Sequence, residues 1–264
     1  MSAVKTALTI AGSDPSGGAG IQADLKTFSR LRVYGMAVIT ALTAQNTSGV
    51  TGTLEVPPEF VARQLDAVLS DIHVDAAKTG MLLTAGVVEV VASKVREYEI
   101  RNLVIDPVMI STSGAPLLNS DAVGTFCRTL LPLALVVTPN ISEAEMLTGK
   151  SITGIGDMEE AALQIHTMGA RSVLIKGGHL NGDDATDVLF DGSEFSHFQS
   201  PRIRSRDTHG TGCVLSAAIT AHLAAGKSLE DAVQPGKDFV SAAIRNGLRL
   251  GKGPGPCDPL GLEN

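Results

Sequence analysis

The sequence predicts an α/β fold with a mainly parallel central sheet and helices on both faces, in one domain over residues 1–264. Three observations predict it. Short apolar, β-leaning runs alternate with longer stretches of helical period. The runs are near-continuously apolar, as strands of a parallel sheet covered on both faces are. The chain is close to the ~250 residues that α/β domains reach as single units. Its 44% hydrophobic and 19% charged residues supply a core large enough to need no staples.

The elements come in this order. Thr6–Ala11 is the first strand candidate. After the Gly-rich segment Gly12–Gly20, the residues Ile21, Leu25, Phe28 and Leu31 form one helical stripe. Ala37–Ala44 is the second strand and exits into Gln45-Asn46-Thr47. Phe60, Val61, Leu65, Val68, Leu69 and Ile72 mark the next helix. Ala76–Thr79 exits into Gly80-Met81, and Val87, Val88, Val91 and Val95 mark a third helix. Leu103–Ile105 exits into Asp106-Pro107-Val108-Met109. Leu135–Thr138 exits into Pro139-Asn140-Ile141-Ser142-Glu143, and Val173–Lys176 into Gly177-Gly178-His179. Over Asp187–Phe198 two short runs flank Asp191-Gly192, a hairpin turn signal. Two helices, Gly212–Ala225 and Ser228–Leu250, precede a Gly/Pro-rich tail.

Composition excludes several classes. The 21 Lys+Arg stand against 28 Asp+Glu, a net charge of −7, with no Trp and 3% aromatics. That argues against a binder of phosphate backbones or of stacked single-stranded bases. Cys127, Cys213 and Cys257 are widely spaced and include no CxxC pair, so neither a disulfide framework nor a structural zinc site is expected. The apolar run Ala7–Ala11 is too short for the core of a signal peptide. The charge-free stretch Thr208–Gly226 carries His, Thr and Gly and makes a poor membrane span. The expectation is a soluble protein of the reducing cytoplasm, without nucleic-acid or membrane partners.

Ligands of open parallel sheets bind beyond the carboxyl ends of the strands. Polar or Gly-rich residues at every exit therefore predict one shared cleft. The strongest local signal is Asp207-Thr208-His209-Gly210-Thr211-Gly212-Cys213, opening a helix. Glycines let backbone approach a ligand, and a helix N-terminus offers free N–H groups and a positive dipole end. Such a place suits a phosphate, or the charge spread over a phosphoryl group in transfer; a plain Gly-rich helix start reads the same way. Asp106 and Glu143 offer two hard oxygen ligands suited to Mg²⁺, or else a strand-end cap and a first-turn carboxylate. Lys176 could meet nucleotide phosphate, or snorkel. A Walker A loop is absent, because Ala144 and Ala221 stand where its first Gly belongs. Gly18-x-Gly20-x-x-Ala23 matches a loose dinucleotide fingerprint, yet the second strand exits into Gln45-Asn46 and not an acidic ribose ligand.

Taken together, Leu8–Asp24, Thr40–Thr47, Asp106–Met109, Thr138–Asn140, Lys176–His179 and Thr208–Cys213 resemble the hydroxymethylpyrimidine/phosphomethylpyrimidine kinases, a vitamin-kinase branch of the ribokinase-like superfamily. The resemblance runs from near Thr6 to near Pro256. It implies a three-layer α/β/α ribokinase-like fold, ATP as co-substrate, Mg²⁺ as cofactor and a homodimer. It implies two successive phosphoryl transfers onto 4-amino-5-hydroxymethyl-2-methylpyrimidine. By motif position, Gly12, Asp24, Gln45, Met81 and Val108 would line the pyrimidine pocket. Asp106 and Glu143 would hold Mg²⁺, Asn140, Lys176 and Thr208 would face ATP, and Gly210, Thr211, Gly212 and Cys213 would form the anion hole. Sugar kinases of this fold carry an Asp base where Cys213 stands. A thiol at a helix N-terminus can have a lowered pKa and serve as base, or it can be a small packing residue. The alternatives are a pyridoxine/pyridoxal kinase and, more remotely, a non-enzymatic nucleotide or metabolite sensor.

Overall fold

The computed structural model describes residues 4–110, 117–178, 180 and 182–261; His179 of the quoted motif lies outside them. Nine strands form one sheet in the order β3-β2-β1-β4-β5-β6-β7-β8-β9. They are β1 Thr6–Ser13, β2 Tyr34–Asn46, β3 Gly49–Glu55, β4 Ala76–Thr79, β5 Leu103–Ile105, β6 Val136–Val137, β7 Val173–Ile175, β8 Asp184–Phe190 and β9 Phe195–Pro201. The pairings β2-β1-β4-β5-β6-β7 are all parallel. Antiparallel partners flank them, β3 at one edge and the β8–β9 hairpin at the other.

The apolar runs are two-sided for a physical reason. Leu103 and Ile105 of β5 face one core layer while Val104 faces the other, and Val173, Ile175 and Leu174 of β7 divide in the same way. Helices α2 (Pro58–Leu69), α3 (Ala85–Glu97) and α6 (Ile155–Thr167) cover the first face. Helices α1 (Gly20–Arg30), α7 (Thr211–Ala224) and α8 (Leu229–Arg245) cover the second. Short helices α4 (Ser120–Thr125) and α5 (Ile141–Thr148) complete the set. Residues Val214–Ala221 of α7 are all buried; a helix apolar on every side belongs in a core, which accounts for the charge-free stretch. Among the described residues no helix is long and apolar enough to cross a membrane.

Helices α4 and α6 have no counterpart among the expected elements, and three further elements depart from expectation. Strand β3 was not predicted: its residues are half-buried or exposed, and it is set by pairing with the far half of β2, not by an apolar pattern. Helix α8 stops at Arg245 instead of reaching Leu250. Beyond its end Gly247 packs against the Asp207 side chain, leaving no room for a Cβ. The hairpin is real but longer, and the Asp191 carboxylate accepts from the N–H groups of Ser193 and Glu194 to close its turn.

Candidate functional site

The order of the sheet places the site. β1 connects to β2 on one side, while β4 lies on its other side, so the strand order reverses between β1 and β4. A cleft opens beyond the carboxyl ends at such a reversal. Here it is a cavity of about 660 Å³. Every predicted site residue except Asp24 lines it.

One half of the cavity is the side of Gly12, Gln45, Met81 and Val108. Gly12 fits under Met81, whose sulfur would lie 3.1 Å from an added Cβ. Thr40 donates its hydroxyl to the Met81 carbonyl at 2.6 Å, fixing that turn. Gln45 accepts from the Thr43 hydroxyl at 3.1 Å through Oε1. Val108 has φ +42°, a left-handed backbone that a β-branched residue rarely adopts. Strain of this kind clusters at ligand sites and is held by its surroundings. Here the neighbouring Met109 N–H donates to Glu143 Oε1 at 3.3 Å, and its carbonyl accepts from Leu117 at 2.9 Å.

Asp24 is a correction. It sits beneath the cavity, with Asp24 and Lys78 both 0% exposed and 2.8 Å apart. Thr9 donates to its other oxygen at 2.6 Å. An ionised carboxylate can be buried only if it is paired and hydrogen-bonded, and Asp24 has no surface left for a ligand.

At the centre stand Asp106, Lys176 and Glu143. Lys176 Nζ donates to Asp106 Oδ1 at 2.9 Å, and Ser216 Oγ donates to Asp106 Oδ2 at 3.2 Å. Burial alone would raise the Asp106 carboxyl, but the Lys176 and Lys78 charges and these two hydrogen bonds hold it below the usual range. Glu143 ends in the opposite state. Burial raises its carboxyl, the Asp106 charge adds to that, and Lys176 offsets it only in part. Glu143 and Asn140 also form a reciprocal cap on α5: Glu143 N–H donates to Asn140 Oδ1 at 2.9 Å and Asn140 N–H to Glu143 Oε2 at 2.8 Å. Among the described residues no three His, Cys, Asp or Glu side chains gather as a metal cage. Two hard carboxylates with coordination positions left to water and phosphate suit Mg²⁺.

The Gly-rich loop through Gly210 opens α7. Gly210 has φ +82°, and an added Cβ would lie 1.8 Å from the Gly18 carbonyl oxygen, so only glycine fits. Gly212 sits beside the charged cluster, its virtual Cβ 3.4 Å from Lys176 Nζ and 3.7 Å from Asp106 Oδ2. The first turn of α7 therefore lines the same cavity as the Asp106–Lys176 pair. Cys213 does not carry the lowered pKa expected of a helix N-terminus: burial pushes its thiol up to about 12, against the pull of Lys78.

Sequence reasoning assigned no role to three features of this wall. Asp187 accepts from Gly177 N–H at 2.9 Å and from Lys237 Nζ at 2.7 Å. Arg202 donates to the carbonyls of Gly178, Leu180, Gly182 and Asp184, tying down the turn after β7. His209 was quoted within the motif without a function, yet its Nε2 lies 2.8 Å from Asp14 Oδ2. Each pairs residues far apart in the chain, and no local period or spacing announces such contacts.

Known proteins share this arrangement. The family model described as phosphomethylpyrimidine kinase matches residues 14–258. The hydroxymethylpyrimidine/phosphomethylpyrimidine kinase of Bacillus subtilis (strain 168) is 49% identical over 258 residues, covering 97% of this chain and 95% of that protein. The thiamine biosynthesis bifunctional protein ThiED of Geobacter sulfurreducens is 54% identical over 253 residues. The match covers 96% of this chain and 52% of that protein, so the chain spans about half the length of the bifunctional relative. The crystal structure of Bacillus subtilis pyridoxal kinase as an ADP complex superposes with a TM-score of 0.90 at 41% identity, covering 97% of both chains. The fold is thus the one the vitamin kinases share, and the chain belongs to the phosphomethylpyrimidine kinase family.

Proposed function

We propose that this protein is an ATP-dependent kinase that phosphorylates 4-amino-5-hydroxymethyl-2-methylpyrimidine on its hydroxymethyl oxygen and then phosphorylates the monophosphate to the diphosphate. The observation that carries the reading is one cavity joining an acceptor half at Gly12, Gln45, Met81 and Val108 to the α7 N-terminus and the Asp106–Lys176–Glu143 cluster. The relative of 49% identity is named for both pyrimidine substrates, and the relative of 54% identity for thiamine biosynthesis.

Each residue has a physical part. The Gln45 amide pairs with the edge of the aminopyrimidine ring, and the backbone at Gly12 and Met81 shapes its slot. Asn140, Lys176 and Thr208 face the nucleotide. The N–H groups of Gly210, Thr211 and Gly212 receive the charge that develops on the phosphoryl oxygens, where preorganised donors count for most. Lys176, paired with Asp106, brings its charge to the nucleotide phosphates. Asp106 and Glu143 would hold Mg²⁺, which supplies neutralising charge on the phosphates. The working form is a cytoplasmic homodimer. Exposed Leu42 on β2 and its pairing partner Leu54 on the edge strand β3 support the dimer, and three unpaired cysteines fit a reducing compartment. Sedimentation equilibrium tests the assembly, and a monomer at micromolar concentration would refute it.

The test of activity gives the purified protein Mg²⁺-ATP and, separately, the hydroxymethylpyrimidine, its monophosphate and pyridoxal. Both pyrimidine products should form. Turnover of pyridoxal alone would assign the chain to the sister activity, and no turnover of any acceptor would leave a sensor.

A further inference from the structure

The loop after β1 and the loop before α7 approach each other across the cavity from opposite ends of the chain, and His209 is where they meet. The Asp14 carboxylate is the organiser of the first loop: it accepts from Ser16 N–H at 2.8 Å, Ser16 Oγ at 2.7 Å and Ala19 N–H at 2.9 Å. Burial would raise that carboxyl, but hydrogen bonds from His209 and Ser16 hold it below the ordinary range, so it stays ionised. A carboxylate only accepts, so His209 Nε2 carries the proton of the 2.8 Å bond to Asp14.

The other sides of His209 are also held. Its ring lies against Gly18, where an added Cβ would be 2.5 Å from His209 Cδ2 and 3.1 Å from Pro256 Cβ. Its N–H donates to the Gly255 carbonyl at 3.0 Å, and its carbonyl accepts from Cys257 N–H at 3.3 Å. The next residue, Gly210, rests on the Gly18 carbonyl. Gln45 Nε2 faces His209 Nε2 at 3.4 Å. Two N–H donors cannot bond each other, so the Gln45 amide keeps a donor for the acceptor substrate.

We infer that His209 is a positioning residue: with Asp14 and Gly18 it clamps the anion hole at Gly210–Gly212 to the acceptor loop Ser13–Gly20 and so sets the separation between acceptor oxygen and transferring phosphoryl group. This rests on the phosphoryl-transfer reading above. The physical need is plain. Gly17 and Gly18 in one loop and Gly210 in the other make both intrinsically compliant. Misplacing reacting groups by about 1 Å can cost ~10²-fold in rate. The His209 ring, bonded to Asp14 and packed on Gly18, removes that freedom, with the His209 backbone anchored on Gly255 and Cys257.

The experiment compares wild type with His209→Ala and His209→Gln, the glutamine being able to place an N–H near the Nε2 position. For His209→Ala, kcat should fall about 10²-fold while pyrimidine and ATP affinities, measured by calorimetry, stay within about threefold. His209→Gln should regain at least about tenfold of the lost kcat. A kcat near wild type in the alanine variant overturns the clamp. So do affinities that fall as far as kcat, or a glutamine variant no better than alanine. Crystal structures of ligand-free wild type and His209→Ala decide the matter without substrate. Gly210–Gly212 should shift against Ser13–Gly20 by about 1 Å, and coincident loops overturn the proposal. Should the wild type phosphorylate no pyrimidine, the substrate reading fails, and this loop comparison still decides the clamp.

Discussion

Cys213 stands at the mouth of α7 with its thiol pushed up to about 12 by burial, so at neutral pH it is protonated and no thiolate waits to take the hydroxyl proton. In that state its part in the proposed anion hole is one of shape. Cys213→Ala should therefore slow transfer to the hydroxymethylpyrimidine and to its monophosphate by similar factors, since both reactions develop charge on the same phosphoryl oxygens. Single-turnover kinetics on each acceptor measures this. A first transfer slowed 10²–10⁴-fold more than the second, the range of a lost general base, would restore the base role. Glu143 poses the converse case. Its carboxyl is raised by burial and by the Asp106 charge, so protons would compete with the proposed Mg²⁺ for it above the ordinary carboxylate range. The apparent affinity for Mg²⁺ should weaken as pH falls through that raised range. Glu143→Gln should lower kcat while leaving pyrimidine binding nearly intact, and should lose this pH dependence. Magnesium titrations of the rate at a series of pH values check both; a Gln variant that keeps the pH dependence argues against Glu143 as the ligand.

At the scale of elements, β1, α1 and β4 are joined by the buried pair Asp24–Lys78. The pattern of apolar runs predicted all three elements, because each needs only local period and burial on known faces. It could not show that the polar residue Asp24, on the α1 stripe side, turns inward to a lysine in β4. A motif places a residue along the chain but not on the inner or outer side of a cavity wall, and that is why Asp24 was expected among the pyrimidine contacts. Removing one partner of such a pair leaves a buried unpaired charge, costing about 3–5 kcal/mol, while replacing both by apolar groups is often neutral. Lys78→Met should lower urea-denaturation stability by about that amount. The double variant Asp24→Leu/Lys78→Met should regain most of it and keep the pyrimidine KM. A double variant that is stable but has a greatly raised pyrimidine KM would return Asp24 to the substrate site.

The whole molecule is a sheet whose order reverses at β1/β4, and this makes the site readable from strand exits. Gly12, Gln45, Met81, Asp106, Asn140 and Lys176 could all be found at the carboxyl ends of the apolar runs, since the topology gathers those ends in one place. The contacts that stayed hidden were those made by closure: Asp187 with Lys237, Ser216 with Asp106, and His209 with Asp14 join positions that no short-range pattern links. The same architecture separates the proposed acceptor residues from the proposed nucleotide residues. Gln45 ends β2 on one side of the switch point, while Lys176 and Asn140 come after β7 and β6 on the other. Sites set on different strands and sharing no partner should behave independently. Gln45→Leu should raise the pyrimidine KM by the cost of a lost buried hydrogen bond, about 1–3 kcal/mol, and leave the KM for ATP unchanged. Lys176→Met should do the reverse for ATP. In the double variant the two KM effects should add to within about 0.5 kcal/mol. Steady-state kinetics with each substrate varied against saturating partner gives all four numbers. Strong non-additivity would mean that the two halves of the cavity are coupled through the loops that bound it, and that Gln45 also serves the fold of those loops.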